Sequence, residues 1–194
     1  MVIPKNWSQV TVAKYQQAYK IIKSQDYDSD TEKLIDIALV FGDIKLSDFK
    51  LSVLNELRFI FDTSTINTKV IETIGFKGRY YRFNTDITKM TAGQYIDLST
   101  YTTDDDTIIN NLHTLLAIIA TERRWLFWHT KYSAEAVSRR AEVFKDLPMT
   151  VAYPITLFFC SVLINLTPHL RSSLMTMGMK AMSELPNSAN IGDG

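Results

Sequence analysis

The chain has 194 residues, 46% hydrophobic and 22% charged, a composition that folds around its own core and excludes a disordered or fibrous chain. Its 21 basic and 21 acidic side chains cancel, so no standing positive field draws it onto phosphate backbones, and nucleic acid is not the default partner. A single cysteine, Cys160, excludes an internal disulfide, and the opening residues Met1 to Trp7 lack the basic start, apolar stretch and small-residue cleavage site of a secretory leader.

Between Thr11 and Ser24, Val12, Tyr15, Tyr19 and Ile22 recur at helical spacing while Lys14, Gln17, Lys20 and Lys23 fill the other positions, which predicts an amphipathic helix. Ser29-Asp30-Thr31-Glu32 has the spacing of a capping box and opens a second helix, with Leu34, Ile37, Ala38 and Phe41 on one stripe and Gly42 as its stop. A third helix is expected after Ser47, carrying Phe49, Val53, Leu57 and Ile60 inward and ending near Asp62.

The pattern changes at Lys69. Residues 69–74 and 79–83 are rich in β-branched and aromatic side chains around Gly75-Phe76-Lys77-Gly78, the signature of a β-hairpin. Two strands alone are marginal in water, so the ribbon must lie on the helices or pair with another chain. Thr91-Ala92-Gly93-Gln94 is a second capping box, with Met90 and Tyr95 placed as a hydrophobic staple, and predicts a short helix to about Tyr101. Asp104, Asp105 and Asp106 then favour the positive end of another helix, which continues through Ile108, Leu112, Leu115, Leu116 and Ile119 and closes on Arg123 and Arg124. Ser133 caps the next, stapled by Tyr132 and Val137 and running to Leu147 before Pro148.

From Leu147 to Leu170 there is no Asp, Glu, Lys or Arg, and the only side chain that titrates near neutral pH is His169. A helix this apolar must be surrounded, by its own protein, by sister subunits or by lipid. Thr167-Pro168 starts a further helix with Leu174, Met175, Met179 and Met182, and residues 188–194 form a small polar tail. The expected fold is therefore mainly α: a multi-helix domain over 1–187 with one inserted β-hairpin near 69–83 and apolar C-terminal helices at 149–183.

Chemistry-bearing patterns are sparse. Asp26-Tyr27-Asp28-Ser29-Asp30 alternates like the start of a calcium loop, but Thr31 stands where the turn glycine belongs and Ile37 where the closing acid belongs; it reads as an acidic connector. His113, His129 and His169 lack any paired metal spacing, and Cys160 lies in the most apolar stretch, where a thiol behaves as a small hydrophobe. No phosphate loop, dinucleotide fingerprint or nucleophile elbow occurs. The expectation is a non-enzymatic chain with no catalytic residue, metal or cofactor. Arg123-Arg124 beside Trp125, Phe127 and Trp128 joins cations to stacking surfaces as a single-strand platform would. At zero net charge an aromatic corner at a protein interface is favoured. The run from Val151 to Leu166 is interrupted by Tyr153, Pro154, Thr156, Ser161 and Asn165 and falls short of the roughly twenty residues a bilayer needs, so a subunit interface is preferred to a membrane span.

One resemblance accompanies these features. The succession Trp7…Val10-Thr11-Val12…Tyr15-Gln16, then Asp26…Lys33-Leu34-Ile35…Phe41-Gly42, then Gly78-Arg79-Tyr80-Tyr81-Arg82-Phe83…Asp86-Ile87-Thr88…Met90 to Leu98 resembles small virion and assembly proteins of tailed bacteriophages. The likeness is to head-tail or tail proteins of crAss-like phages and, more distantly, to baseplate-hub assembly proteins of T-even-like phages. It implies a virion subunit assembled in the bacterial host cytoplasm: a homo-oligomeric ring or connector at the head-tail junction or in the tail, contacting portal and neighbouring ring or tail proteins. The alternative it leaves open is a tail or baseplate chaperone absent from the mature virion. Trp125, Phe127, Trp128, Phe158, Phe159, Leu163, Met175 and Met179 are the expected contact residues.

Overall fold

The computed structural model describes residues 3–42, 45–50, 52–61, 63–124, 127–128 and 132–162. Its contacts divide the chain into two units, Met1–Phe158 and Phe159–Gly194. The first is mainly helical with a small antiparallel sheet, and all elements labelled below belong to it.

Helix α1 (Val12–Lys23) begins where Thr11 Oγ1 accepts the Lys14 N–H at 3.3 Å. Its first two open donors are met from the far end of the unit: Val12 N–H donates to Leu147 O at 2.9 Å and Ala13 N–H to Lys145 O at 2.8 Å. Helix termini leave such groups orphaned, and here the start of one helix meets the chain leaving another. Helix α2 (Asp30–Gly42) packs against α1. Ser29 Oγ accepts the Glu32 N–H, as the cap predicts, and buried Gly42 is the helix's last residue rather than a stop outside it. The two helices also close each other's C-terminal ends, because Lys33 Nζ donates to Ile22 O and Ser24 O while Lys14 Nζ donates to Phe41 O.

The expected third helix is broken. A 3₁₀ turn (Leu46–Asp48), a short helix α3 (Ser52–Glu56) and a second 3₁₀ turn (Arg58–Phe61) replace it. Val53 and Leu57 are buried as read, at 1% and 2% exposure, whereas Phe49 and Ile60 are only half-buried. Ser47, Asp48, Ser52 and Asn55 are weak helix formers that compete for backbone groups, and Phe59 turns edge-on to Trp7 with ring centroids 5.5 Å apart.

The hairpin forms with tighter limits than expected: β1 (Thr73–Phe76) and β2 (Arg79–Phe83) join through Lys77 and Gly78 alone. Both turn residues have positive φ, 47° and 73°, the twist a two-residue hairpin requires. Gly75 lies inside β1 opposite Tyr80, whose ring sits 3.5 Å from where a Cβ would be. The ribbon's partner is in the same chain. The helix expected from Asp104 to Arg124 is instead α5 (Asp105–Asn110), α6 (Leu112–Ile119) and then a strand, β3 (Ala120–Arg124), antiparallel to β2. A two-residue strand β4 (Phe127–Trp128) pairs with its end, giving the order β1-β2-β3-β4. Free β2 backbone outweighs the Arg123-Arg124 dipole argument, because an extended 120–124 pairs with it and lays Ala120 and Glu122 beside Phe83 and Tyr81.

Helix α4 (Ala92–Thr100) has the predicted capping box complete, and α7 (Ala134–Phe144) starts at Ser133, whose Oγ accepts the Ala136 N–H. The Tyr132 ring lies 3.5 Å from the Cβ position of Gly93 and its hydroxyl donates to Asp97. The core sits where α6 meets α7 and the sheet, with Leu116, Ile118, Ile119, Tyr81, Phe83, Phe144 and Leu147 all below 2% exposure. Phe144 meets Tyr81 edge-on at 4.9 Å.

Candidate functional site

Of the eight expected contact residues, Trp125, Leu163, Met175 and Met179 lie outside the described residues, as does the expected helix beyond Thr167. Phe127 and Trp128 are placed as backbone, opposite Arg124 and Arg123 in the β3–β4 pair. Residues 149–162 are helical; Phe158 is half-buried and Phe159 buried at 4% exposure. Leu157 stays 43% exposed, so this helix is not enclosed on every side. Among the described residues no helix is long and apolar enough to cross a membrane.

An open sheet edge is the first candidate surface. Phe83 N–H donates to Glu72 O at 2.8 Å, which makes that pair a hydrogen-bonded one; by alternation Thr73 and Gly75 belong to wide pairs whose N–H and C=O point away from β2. Both residues are exposed, and β1 ends the sheet. Tyr80 and Ile71 are exposed on the same ribbon, at 58% and 43%.

Helix α6 organises the polar groups of the interior. All four of its last carbonyls are satisfied, each from a different part of the chain. Leu116 O accepts from Ala120 N, Ile119 O from Asn84 N, Ile118 O from Gln94 Nε2, and Ala117 O from both Nε and Nη2 of Arg140 at 3.0 and 2.9 Å. Arg140 is 2% exposed; burial, opposed by the charge of Glu122, lowers its pKa from the usual value. Glu122, itself buried on β3, accepts from Arg79 and Arg139. At the other end Gln16 of α1 spans the break between α5 and α6: its Nε2 donates to Ile109 O and Asn110 O, both at 2.8 Å, and lies 3.0 Å from His113 Nδ1.

His113 lines a groove of about 400 Å³ between α4, α6 and α7, together with Asp97, Tyr101, Thr114, Ser138 and Glu142. Burial first, and then the charge of Lys145, hold the imidazole below the ordinary histidine value, with Glu142 opposing. Burial and the Asp97 bond push the Tyr132 hydroxyl far up. A second, more polar cleft of about 470 Å³ is lined by Glu72, Arg82, Asn84, Thr85, Asp86, Lys89, Gln94 and Thr121. There Lys89 and Thr88 hold the Asp86 carboxyl down at about 2, and Thr85 donates to Glu72.

Asp104 acts as the predicted helix start, accepting the Thr107 N–H at 2.7 Å. The neighbouring Asp106 is used across elements, taking Tyr19 Oη at 2.5 Å and Lys23 Nζ at 3.2 Å. Among the described residues no group of three or more His, Cys, Asp or Glu side chains is placed to hold a metal ion.

Gln16, Glu122 and Arg140 were not singled out from sequence, although each stands at a core-facing position. Arg140 falls on the stripe Val137, Ala141 and Phe144, and Gln16 on the stripe Val12 and Tyr19. A polar residue on an apolar stripe is the signal that finds them. Comparison with protein-family models, with curated proteins and with solved structures finds no match.

Proposed function

We propose that this chain is a non-enzymatic structural subunit of a tailed-phage particle, forming a homo-oligomeric ring or connector at the head-tail junction or in the tail. The observation that carries the reading is the uncovered edge of β1, where Thr73 and Gly75 present backbone donors and acceptors beside exposed Tyr80 and Ile71. An open edge is a template for another strand, and in a ring each copy offers its neighbour the same surface. The stretch from Leu147 to Leu170, which holds no Asp, Glu, Lys or Arg, and the sequence resemblance to phage virion proteins support the same reading.

Two measurements test it. Mass spectrometry of washed particles is expected to find the chain at a fixed copy number, and light scattering of the purified protein to find a closed oligomer. A chain required for tails yet absent from finished particles would place it among the assembly chaperones, and a monomer at tens of micromolar that is also missing from particles would overturn both.

A further inference from the structure

Gln16 Nε2 has two hydrogens and three neighbours at hydrogen-bond distance, Ile109 O, Asn110 O and His113 Nδ1, and that constrains the protonation state of the histidine. Ile109 O and Asn110 O can only accept, so the amide must face them with its NH₂. His113 Nδ1, 3.0 Å from the same nitrogen, then faces an atom that can donate but not accept, so it is the unprotonated ring nitrogen, which places the ring proton on Nε2. Protonating Nδ1 sets two donors face to face. Turning the amide over would rescue the histidine but point Gln16 Oε1 at two carbonyl oxygens. Either way the clamp across the break between α5 and α6 is lost.

We propose that Gln16 and His113 form a pH-sensitive latch: with His113 neutral, α1 is pinned to the α5–α6 junction, and a proton on the imidazole releases it. Helix α7 brings Glu142, paired with Lys145 at 2.7 Å, and α4 brings Asp97, engaged by Tyr132, and Tyr101. One turn along α1, Tyr19 and Lys23 are tied to Asp106 of α5. Asp97 is held by the tyrosine and Glu142 by the lysine; Glu142 still favours the charged imidazole, but burial and Lys145 act against it. The direction of the His113 shift agrees, since burial and Lys145 both disfavour the cation.

The stability sign follows. A histidine that titrates lower when folded than the unfolded value of about 6.5 makes the unfolded state bind more protons, so its contribution is complete above that value and lost as pH falls toward the folded one.

The test is an NMR titration of His113 in the full chain, with amide exchange followed at Thr114 and Leu115, whose N–H groups donate to Asn111 O at the junction. In the wild type the imidazole should titrate below the ordinary value, and junction exchange, corrected for its intrinsic pH dependence, should accelerate as it charges. Gln16→Met removes the donor: the midpoint should rise by about half a unit or more, and junction exchange should be fast already at pH 7. Should Gln16→Met not fold, Gln16→Glu supplies an acceptor for Nδ1–H and should carry the midpoint above the ordinary histidine value. His113→Asn keeps an acceptor without a titrating group, so its junction should stay closed and its denaturant stability should fall less than the wild type's between pH 7 and pH 5. A midpoint unmoved in the Gln16 variants, or equal stability slopes for wild type and His113→Asn, would overturn the latch.

Discussion

Arg140 illustrates how a buried charge is kept in a small protein. Its guanidinium spends two donors on one carbonyl, Ala117 O, at the end of a helix whose backbone has nowhere else to turn. Arg140→Met keeps much of the volume but strands that carbonyl, and should cost about 2–3 kcal/mol. Arg140→Lys offers a single donor without the planar fork and should recover only part of the loss. Glu122→Gln should cost less than Arg140→Met. Its two partners, Arg79 and Arg139, are 52% and 54% exposed, so water recovers most of what the carboxylate gave them. Urea midpoints of the three variants check this order; a Glu122→Gln loss larger than that of Arg140→Met would show that the carboxylate, not the helix end, anchors the cluster.

At the scale of elements, what was legible in sequence is what local chemistry decides. The caps at Thr91 and Ser133, the stripe of α1 and the hairpin turn all follow from residues within a few positions of one another. What was not legible depends on distant partners. Residues 120–124 follow an apolar helical pattern with Arg123 and Arg124 where a helix end favours them, and only the free edge of β2, some forty positions earlier, makes them a strand. The segment from Leu46 to Phe61 has helical spacing but too few good helix formers to hold it without breaks. Of the expected contact surface, the sequence named aromatic and methionine side chains by composition, whereas the sheet edge could not be seen before the register was known. The hairpin permits a clean test of local control. Lys77 holds φ 47°, a conformation asparagine adopts more readily, so Lys77→Asn should stabilise the chain by about 0.5 kcal/mol despite losing an exposed ion pair with Asp146. Gly78→Ala, at φ 73°, should cost about 1 kcal/mol. Thermal unfolding of both variants measures the difference.

For the whole molecule the question is whether the open edge of β1 is where copies meet. Interior strands and edge strands obey different rules for proline: it cannot donate to a ladder, but it is tolerated where the missing N–H would have faced outward. Thr73 is such a position, since its wide pairing with Arg82 directs the N–H away from β2. Thr73→Pro should therefore leave the hairpin's own bonds in place, costing the isolated chain about 1 kcal/mol or less, while removing a donor that an added strand needs. Thr73→Val keeps that donor and serves as the control. If β1 is the junction, light scattering should show the oligomer lost in Thr73→Pro and kept in Thr73→Val, with far-ultraviolet circular dichroism unchanged in both. Oligomers of wild-type size from a folded Thr73→Pro protein would remove the edge from the assembly and leave the stretch from Leu147 to Leu170 to hold the copies together.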